Sequence, residues 1–156
     1  MMNYTYKKIA VGGTFDKFHK GHEELIRTAF RLSEKVLIGI TSDEFAAHKS
    51  HDVESCEKRI ANVKEVINDY NNFYEIKRID DAMGTADIDP ELDAIVVSEE
   101  TEESAVYINH IRKSNGLNLL DIVVIEWILA ADNVPISSTR IRKGEITQDG
   151  ILLTEE

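Results

Sequence analysis

Val11-Gly-Gly-Thr-Phe-Asp16, continued by Lys17-Phe-His-Lys-Gly-His22, stands between the apolar-ending run Lys7-Lys-Ile-Ala-Val11 and the helix-patterned segment Glu23-Glu-Leu-Ile-Arg-Thr-Ala-Phe-Arg-Leu-Ser33. The stretch therefore reads as the turn between a first strand and a first helix. Such a turn is suited to holding phosphate. Two glycines let the backbone approach a ligand, Thr14 offers a hydroxyl, and the free N–H groups of a helix start direct partial positive charge at an anion. With a helix beginning near Lys20, His19 and His22 flank that same positive end.

Outward from this turn the hydrophobic period switches between strand and helix. Strands are expected near Lys7 to Gly12, at Lys35 to Thr41, Tyr74 to Ile79, Asp93 to Ser98 and Asp121 to Trp127. Helices are expected from about Lys20 to Ser33, Asp43 to Ala47, Ser55 to Tyr70 and Thr101 to Lys113, the third carrying an apolar stripe of Ile60, Val63, Val66 and Ile67. Strands alternating with helices imply parallel crossovers, and the continuous apolar runs Val36 to Ile40 and Ile95 to Val97 suit strands covered on both faces. The expected fold is α/β, a five-stranded doubly wound parallel sheet with helices on both faces. In such sheets ligands sit beyond the carboxyl ends of the strands where strand order reverses. The segments Gly12 to His22, Thr41 to His51, Ser98 to Thr101 and Trp127 to Arg142 all follow strands, so they can face one crevice.

The chain has 156 residues, which fits one domain over 1–156 with an adequate core. No internal repeat, low-complexity run or Pro/Gly/Ser-rich linker marks a second one. The single cysteine, Cys56, excludes an internal disulfide framework, no stretch is apolar enough to span a bilayer, and no secretory leader is evident, so the cytoplasm is the expected location. A formal net charge of −11 argues against a general nucleic-acid or acidic-membrane surface, because non-specific binding to either is largely charge neutralisation by Lys and Arg. A small anionic substrate would need the few cations gathered in one pocket, which draws attention to Lys49, Arg140 and Arg142.

The histidine pair, and His48 with His51 at the same spacing, allows a metal half-site, but a zinc site also wants a second shell and usually cysteine or acidic ligands at suitable spacing, which makes metal the least favoured reading. Gly-Gly-Thr ahead of the first pair in a strand-to-helix turn favours anion contact over two satisfied surface histidines. Pro135-Ile-Ser-Ser-Thr-Arg-Ile-Arg142 lies beyond the last strand. One hydroxyl suffices to cap a short helix there, whereas three followed by Arg140 offer donors and a guanidinium fork to a polyphosphate. Lys49 follows the second strand, where most lysines are solvated charges. Ser98-Glu-Glu-Thr101 is equally good as a set of helix-start acids or as a nucleotide contact. The P-loop, the Gly-x-Gly-x-x-Gly turn and the Gly-x-Ser-x-Gly elbow are absent.

Gly12-Gly-Thr-Phe-Asp16 with His19-Lys-Gly-His22 resembles the His-x-Gly-His signature of the nucleotidylyltransferase superfamily, and Ile136-Ser-Ser-Thr-Arg140 resembles its second signature. One lies near each end of the chain. Within the superfamily, Gly-Gly-Thr-Phe-Asp and Val97-Ser-Glu-Glu-Thr101 are most similar to archaeal phosphopantetheine adenylyltransferases and the matching domain of eukaryotic coenzyme A synthase. Bacterial enzymes usually carry Thr in place of His19 and basic residues where this chain has Ser98 to Thr101, so the bacterial hexamer is not carried over and no oligomeric state is inferred.

The resemblance implies transfer of AMP from ATP to 4′-phosphopantetheine, giving dephospho-coenzyme A and pyrophosphate. It implies ATP contacts from Gly13, Thr14, Phe15, His19, His22, Glu99, Ser137, Ser138, Thr139 and Arg140. His22 and His19 would stabilise charge on the departing pyrophosphate, while Thr14 and Lys49 would orient the attacking phosphate. Mg2+ would arrive with the nucleotide, with no metal held by protein alone. An ionised phosphate nucleophile needs no general base, which suits a sequence without a Ser-His-Asp or paired-acid arrangement. Two alternatives remain. One is a related enzyme using nicotinamide mononucleotide, FMN or glycerol 3-phosphate as acceptor. The other is a non-catalytic nucleotide-binding module.

Overall fold

The computed structural model describes residues 4–47, 53–81, 84–126 and 128–153. Five strands, β1 (Tyr6–Gly13), β2 (Ser33–Thr41), β3 (Phe73–Ile79), β4 (Ala94–Ser98) and β5 (Asp121–Ile125), form one sheet in the order β3-β2-β1-β4-β5. Every neighbouring pair is parallel, with Ile9 opposite Val36 on one side of β1 and Ala94 on the other. The helices are α1 (Lys20–Leu32), α2 (Asp43–Ala46), α3 (Cys56–Ile67), α4 (Glu102–Ser114) and α5 (Ser138–Arg142). The chain runs outward from β1 through β2 to β3, then crosses back to β4 and β5. Strand order reverses between β1 and β4, which places the expected crevice beyond Gly13 and Ser98.

The apolar runs resolve into two faces because successive strand side chains point to opposite sides of the sheet. Ile9, Val11, Val36, Ile38, Ile40, Ala94 and Val96 pack with Ile26, Ala29 and Phe30 of α1 and with Val63 and Ile67 of α3. The residues between them, Ala10, Leu37, Ile95 and Val97, pack with Ala105 and Ile108 of α4 and with Ala86, Leu92 and Leu120. Edge strands β3 and β5 are far more exposed than the central three. Charged Glu75, Lys77 and Arg78 on β3 discourage edge-to-edge pairing.

Element ends deviate little from expectation. Helix α3 stops at Ile67 with Asn68 as its cap, short of the expected Tyr70, and β5 ends at Ile125, with Trp127 outside the described residues. After β5, Ala130, Ile136 and Ile146 form a small separate cluster against which Ile141 of α5 packs.

Candidate active site

Helix α1 begins with an unusual cap. The Nδ1 atom of His19 accepts hydrogen bonds from the N–H groups of Gly21 and His22, at 3.0 and 3.4 Å, while His22 Nδ1 accepts from the His19 N–H at 3.3 Å. Since a neutral imidazole carries one proton, this assigns it to Nε2 on both rings. The rings stack with centroids 3.7 Å apart, and the His22 ring meets Phe15 edge-on at 5.3 Å. Burial pushes the His19 pKa down to about 4. Burial, and secondarily the neighbouring His19, pushes that of His22 down to about 3 against the opposing pull of Asp16. Both are therefore neutral donors at pH 7.

The cap corrects one expectation. The N–H groups of Gly21 and His22 are not free for an anion, because His19 takes both, and the Lys20 N–H reaches the Gln148 carbonyl. What the helix start presents instead is imidazole. The arrangement also explains Gly21, since a Cβ there would lie 2.8 Å from His19 Cε1. Before it, Phe15 and Lys17 hold left-handed backbone at φ 56° and 50°. Such strain, about 1–3 kcal/mol per residue, persists only where the surroundings impose it. Here Phe15 is buried, the Lys17 N–H donates to Glu54, and the Glu54 N–H donates to Asp16, each at 2.9 Å.

The second motif folds onto this turn. Ser138 Oγ donates to the Asp16 carbonyl at 2.6 Å across a separation of 122 residues, and the Arg142 guanidinium pairs with the Asp16 carboxylate at 2.9 Å. Asp16 is held below the usual carboxylate pKa: burial alone would raise it, but the Glu54 N–H and Arg142 outweigh that. Gly13, Thr14, Phe15, His19, His22, Ser137, Ser138 and Thr139 all line one hollow of about 300 Å³. The two distant motifs thus converge.

Other expected residues lie elsewhere. Arg140 does not line this hollow, because its guanidinium is occupied by Asp132, Glu145 and the carbonyls of Val134 and Pro135. Arg142 lines it instead, with a buried Nε that has no partner. Glu100, not Glu99, reaches the wall. Ser137 caps α5 by accepting from the Arg140 N–H, so the capping reading holds for that hydroxyl while Ser138 ties the loops. Lys49, His48 and His51 lie outside the described residues. Among the described residues no group of three or more His, Cys, Asp or Glu is placed to hold a metal.

A second hollow of about 310 Å³ adjoins the first on the α4 face. It exists because β1 and β2 carry small residues there: Ala10, Gly12 and Gly39 leave space that Leu37, Phe45, Ile79 and Ala86 only partly fill. Gly84, Thr85 and Ala86 bring the loop after β3 to its rim. Gly12, Gly13, Thr14 and Thr101 line both hollows and form the wall between them.

Residues 10–144 match the cytidylyltransferase-like family. A phosphopantetheine adenylyltransferase of Methanothermobacter thermautotrophicus is 49% identical over 97% of this chain and 93% of its own length. One from Pyrococcus furiosus is 44% identical over 96% and 95%. The chain belongs to the phosphopantetheine adenylyltransferase family. Among solved structures, an Archaeoglobus fulgidus protein of unknown function superposes with a TM-score of 0.71 at 33% identity, covering 82% of this chain and 96% of that one. Membership in the adenylyltransferase family agrees with the five-stranded parallel sheet and its switch point at β1 and β4. In this family member no helix among the described residues is long and apolar enough to cross a membrane.

Proposed function

We propose that this chain is an adenylyltransferase that moves AMP from ATP to 4′-phosphopantetheine, releasing pyrophosphate and dephospho-coenzyme A. The observation that carries the reading is the pair of hollows meeting at Gly12–Thr14 and Thr101, one edged by imidazole, hydroxyl and guanidinium, the other lined by Leu37, Ile79, Ile95 and Ile108 together with Lys77 and Ser104. Nucleotide belongs in the first. Its phosphates would meet His19, His22, Ser137, Ser138, Thr139 and Arg142, and its base the apolar side formed by Ile125, Ile128 and Ile136. The pantetheine arm belongs in the second, with its phosphate at the dividing wall beside Thr14.

A phosphate oxygen of the acceptor forms a bond to the α-phosphorus of ATP. The bond from that phosphorus to the bridging oxygen breaks, and the electron pair leaves on pyrophosphate. No general base is required, so the protein's work is alignment and stabilisation of the charge that grows on the leaving group. Neutral Nε2–H groups suit this because they donate without needing to change protonation state. Mg2+ enters with ATP as part of the substrate; Asp16, the innermost carboxylate of the hollow, is already committed to Arg142 and Glu54. Lys49, outside the described residues, remains proposed as a contact to the reacting phosphates. With its one thiol, Cys56, buried and free, the enzyme is assigned to the reducing cytoplasm.

The test is pyrophosphate release with ATP, Mg2+ and phosphopantetheine, with dephospho-coenzyme A identified by mass. Turnover with this acceptor is expected. Turnover only with nicotinamide mononucleotide, FMN or glycerol 3-phosphate, or nucleotide binding without turnover, overturns the assignment.

A further inference from the structure

Arg59 of α3 is completely buried, yet its guanidinium does not face either hollow. It lies behind the carboxyl ends of β1 and β2. Its Nε donates to the Glu54 carbonyl at 2.7 Å, and NH2 reaches Asp43 Oδ1 at 3.3 Å. Its NH1 donates to the carbonyls of Thr41 and Thr14, at 2.7 and 3.1 Å, and to the Thr41 hydroxyl at 3.2 Å. The Thr41 hydroxyl is 3.1 Å from that of Thr14.

The direction of this chain follows from chemistry at its first link and from bond geometry at its second. A guanidinium has five N–H donors and no acceptor, so the Thr41 hydroxyl can only accept from it. The bond between the two hydroxyls runs from the Thr41 O–H to Thr14 Oγ1. Having accepted that bond, Thr14 keeps its proton for a partner elsewhere, and Thr14 stands in the wall shared by both hollows. We propose that Arg59 and Thr41 are positioning residues that hold the Thr14 hydroxyl as a hydrogen-bond donor toward the phosphate passing between the two hollows. A buried cation polarises the hydroxyls in series, and the donor is oriented before substrate arrives. The relay rests on the adenylyltransferase reading above.

A double-mutant cycle on the full chain tests it, using Thr41→Val, which replaces a hydroxyl by a methyl of similar shape, and Thr14→Val. Pyrophosphate release is measured with ATP and phosphopantetheine, and folding is followed by melting. Thr14→Val is expected to lower kcat about 10²-fold, the scale of losing one placed donor, and Thr41→Val about tenfold with KM for ATP nearly unchanged. Thr41→Ser recovers most of the loss. In the Thr14→Val background, Thr41→Val costs less than about twofold, because it has nothing left to orient. Wild-type kcat in Thr41→Val, or an equal loss in both backgrounds, overturns the relay while leaving the enzyme assignment intact. An inactive wild type overturns the assignment and the relay together. If Thr41→Val does not fold, Thr41→Ala takes its place, and failure of both to fold makes Thr41 a residue of the fold and overturns the proposal.

Discussion

His19 and His22 owe their neutrality to burial, and that has a stability consequence with a definite sign. Unfolded, each ring takes up a proton near pH 6.5, whereas in the folded chain this waits until about pH 4 and pH 3. The stability they contribute is therefore present above pH 6.5 and is lost as the pH falls toward those folded values, at up to about 1.4 kcal/mol per pH unit for each ring. Urea denaturation between pH 4.5 and 7 is expected to show this slope, and His22→Ala to reduce it. The same variant is expected to lower kcat by about 10²-fold in single-turnover assays, while circular dichroism shows α1 retained, since the cap acceptor is His19. An unchanged kcat removes His22 from the reacting phosphates. The sequence announced both imidazoles but not their tautomers. Those follow from backbone N–H groups that meet Nδ1 only once the helix has formed.

At the scale of elements, short helices decide which charges reach the site. Arg140 and Arg142 are two residues apart on α5, about 200° around a helix, so only one can face the hollow. Spacing alone does not say which. Packing does, because Asp132 and Glu145 claim Arg140 while Asp16 claims Arg142. A second buried arginine, Arg112 in the last turn of α4, donates to the carbonyls of Ala86, Asp89 and Asn118 at 2.8 Å each. It staples the loop after β3, whose Ala86 lines the second hollow but not the first. Arg112→Met removes the guanidinium from all three carbonyls, leaving only the Leu92 N–H on that of Asp89, and is expected to cost about 3 kcal/mol or more in urea denaturation. It should also raise KM for the acceptor more than KM for ATP. Equal rises in both would mean that the loop does not belong to the acceptor side. Helices and strands were readable here because their periods are local; the staple was not, since an arginine in a helix looks the same whether it ends in water or on a loop more than twenty residues upstream.

Across the whole molecule, the strand order β3-β2-β1-β4-β5 puts β1 at the centre and opens a hollow on each side of its carboxyl end. A ligand filling both should stabilise more than one filling either. At 100 times its dissociation constant any such ligand adds about 2.7 kcal/mol, so at equal concentrations the tighter one gives the larger melting shift. Dephospho-coenzyme A is expected to exceed both ATP and phosphopantetheine in thermal unfolding; a shift no larger than that of ATP would mean the hollows are not occupied together. The order of elements, the covered central strands and the two motifs that line the first hollow were legible in the sequence alone, because each depends on residues within a turn or two of one another. Which arginine lines the first hollow, the second hollow left by the small residues Ala10, Gly12 and Gly39, and the chain from Arg59 through Thr41 to Thr14 were decided only by the tertiary structure. Each requires groups from different strands and helices to meet, as Ser138 and Asp16 do across 122 residues, and no local period encodes such a meeting.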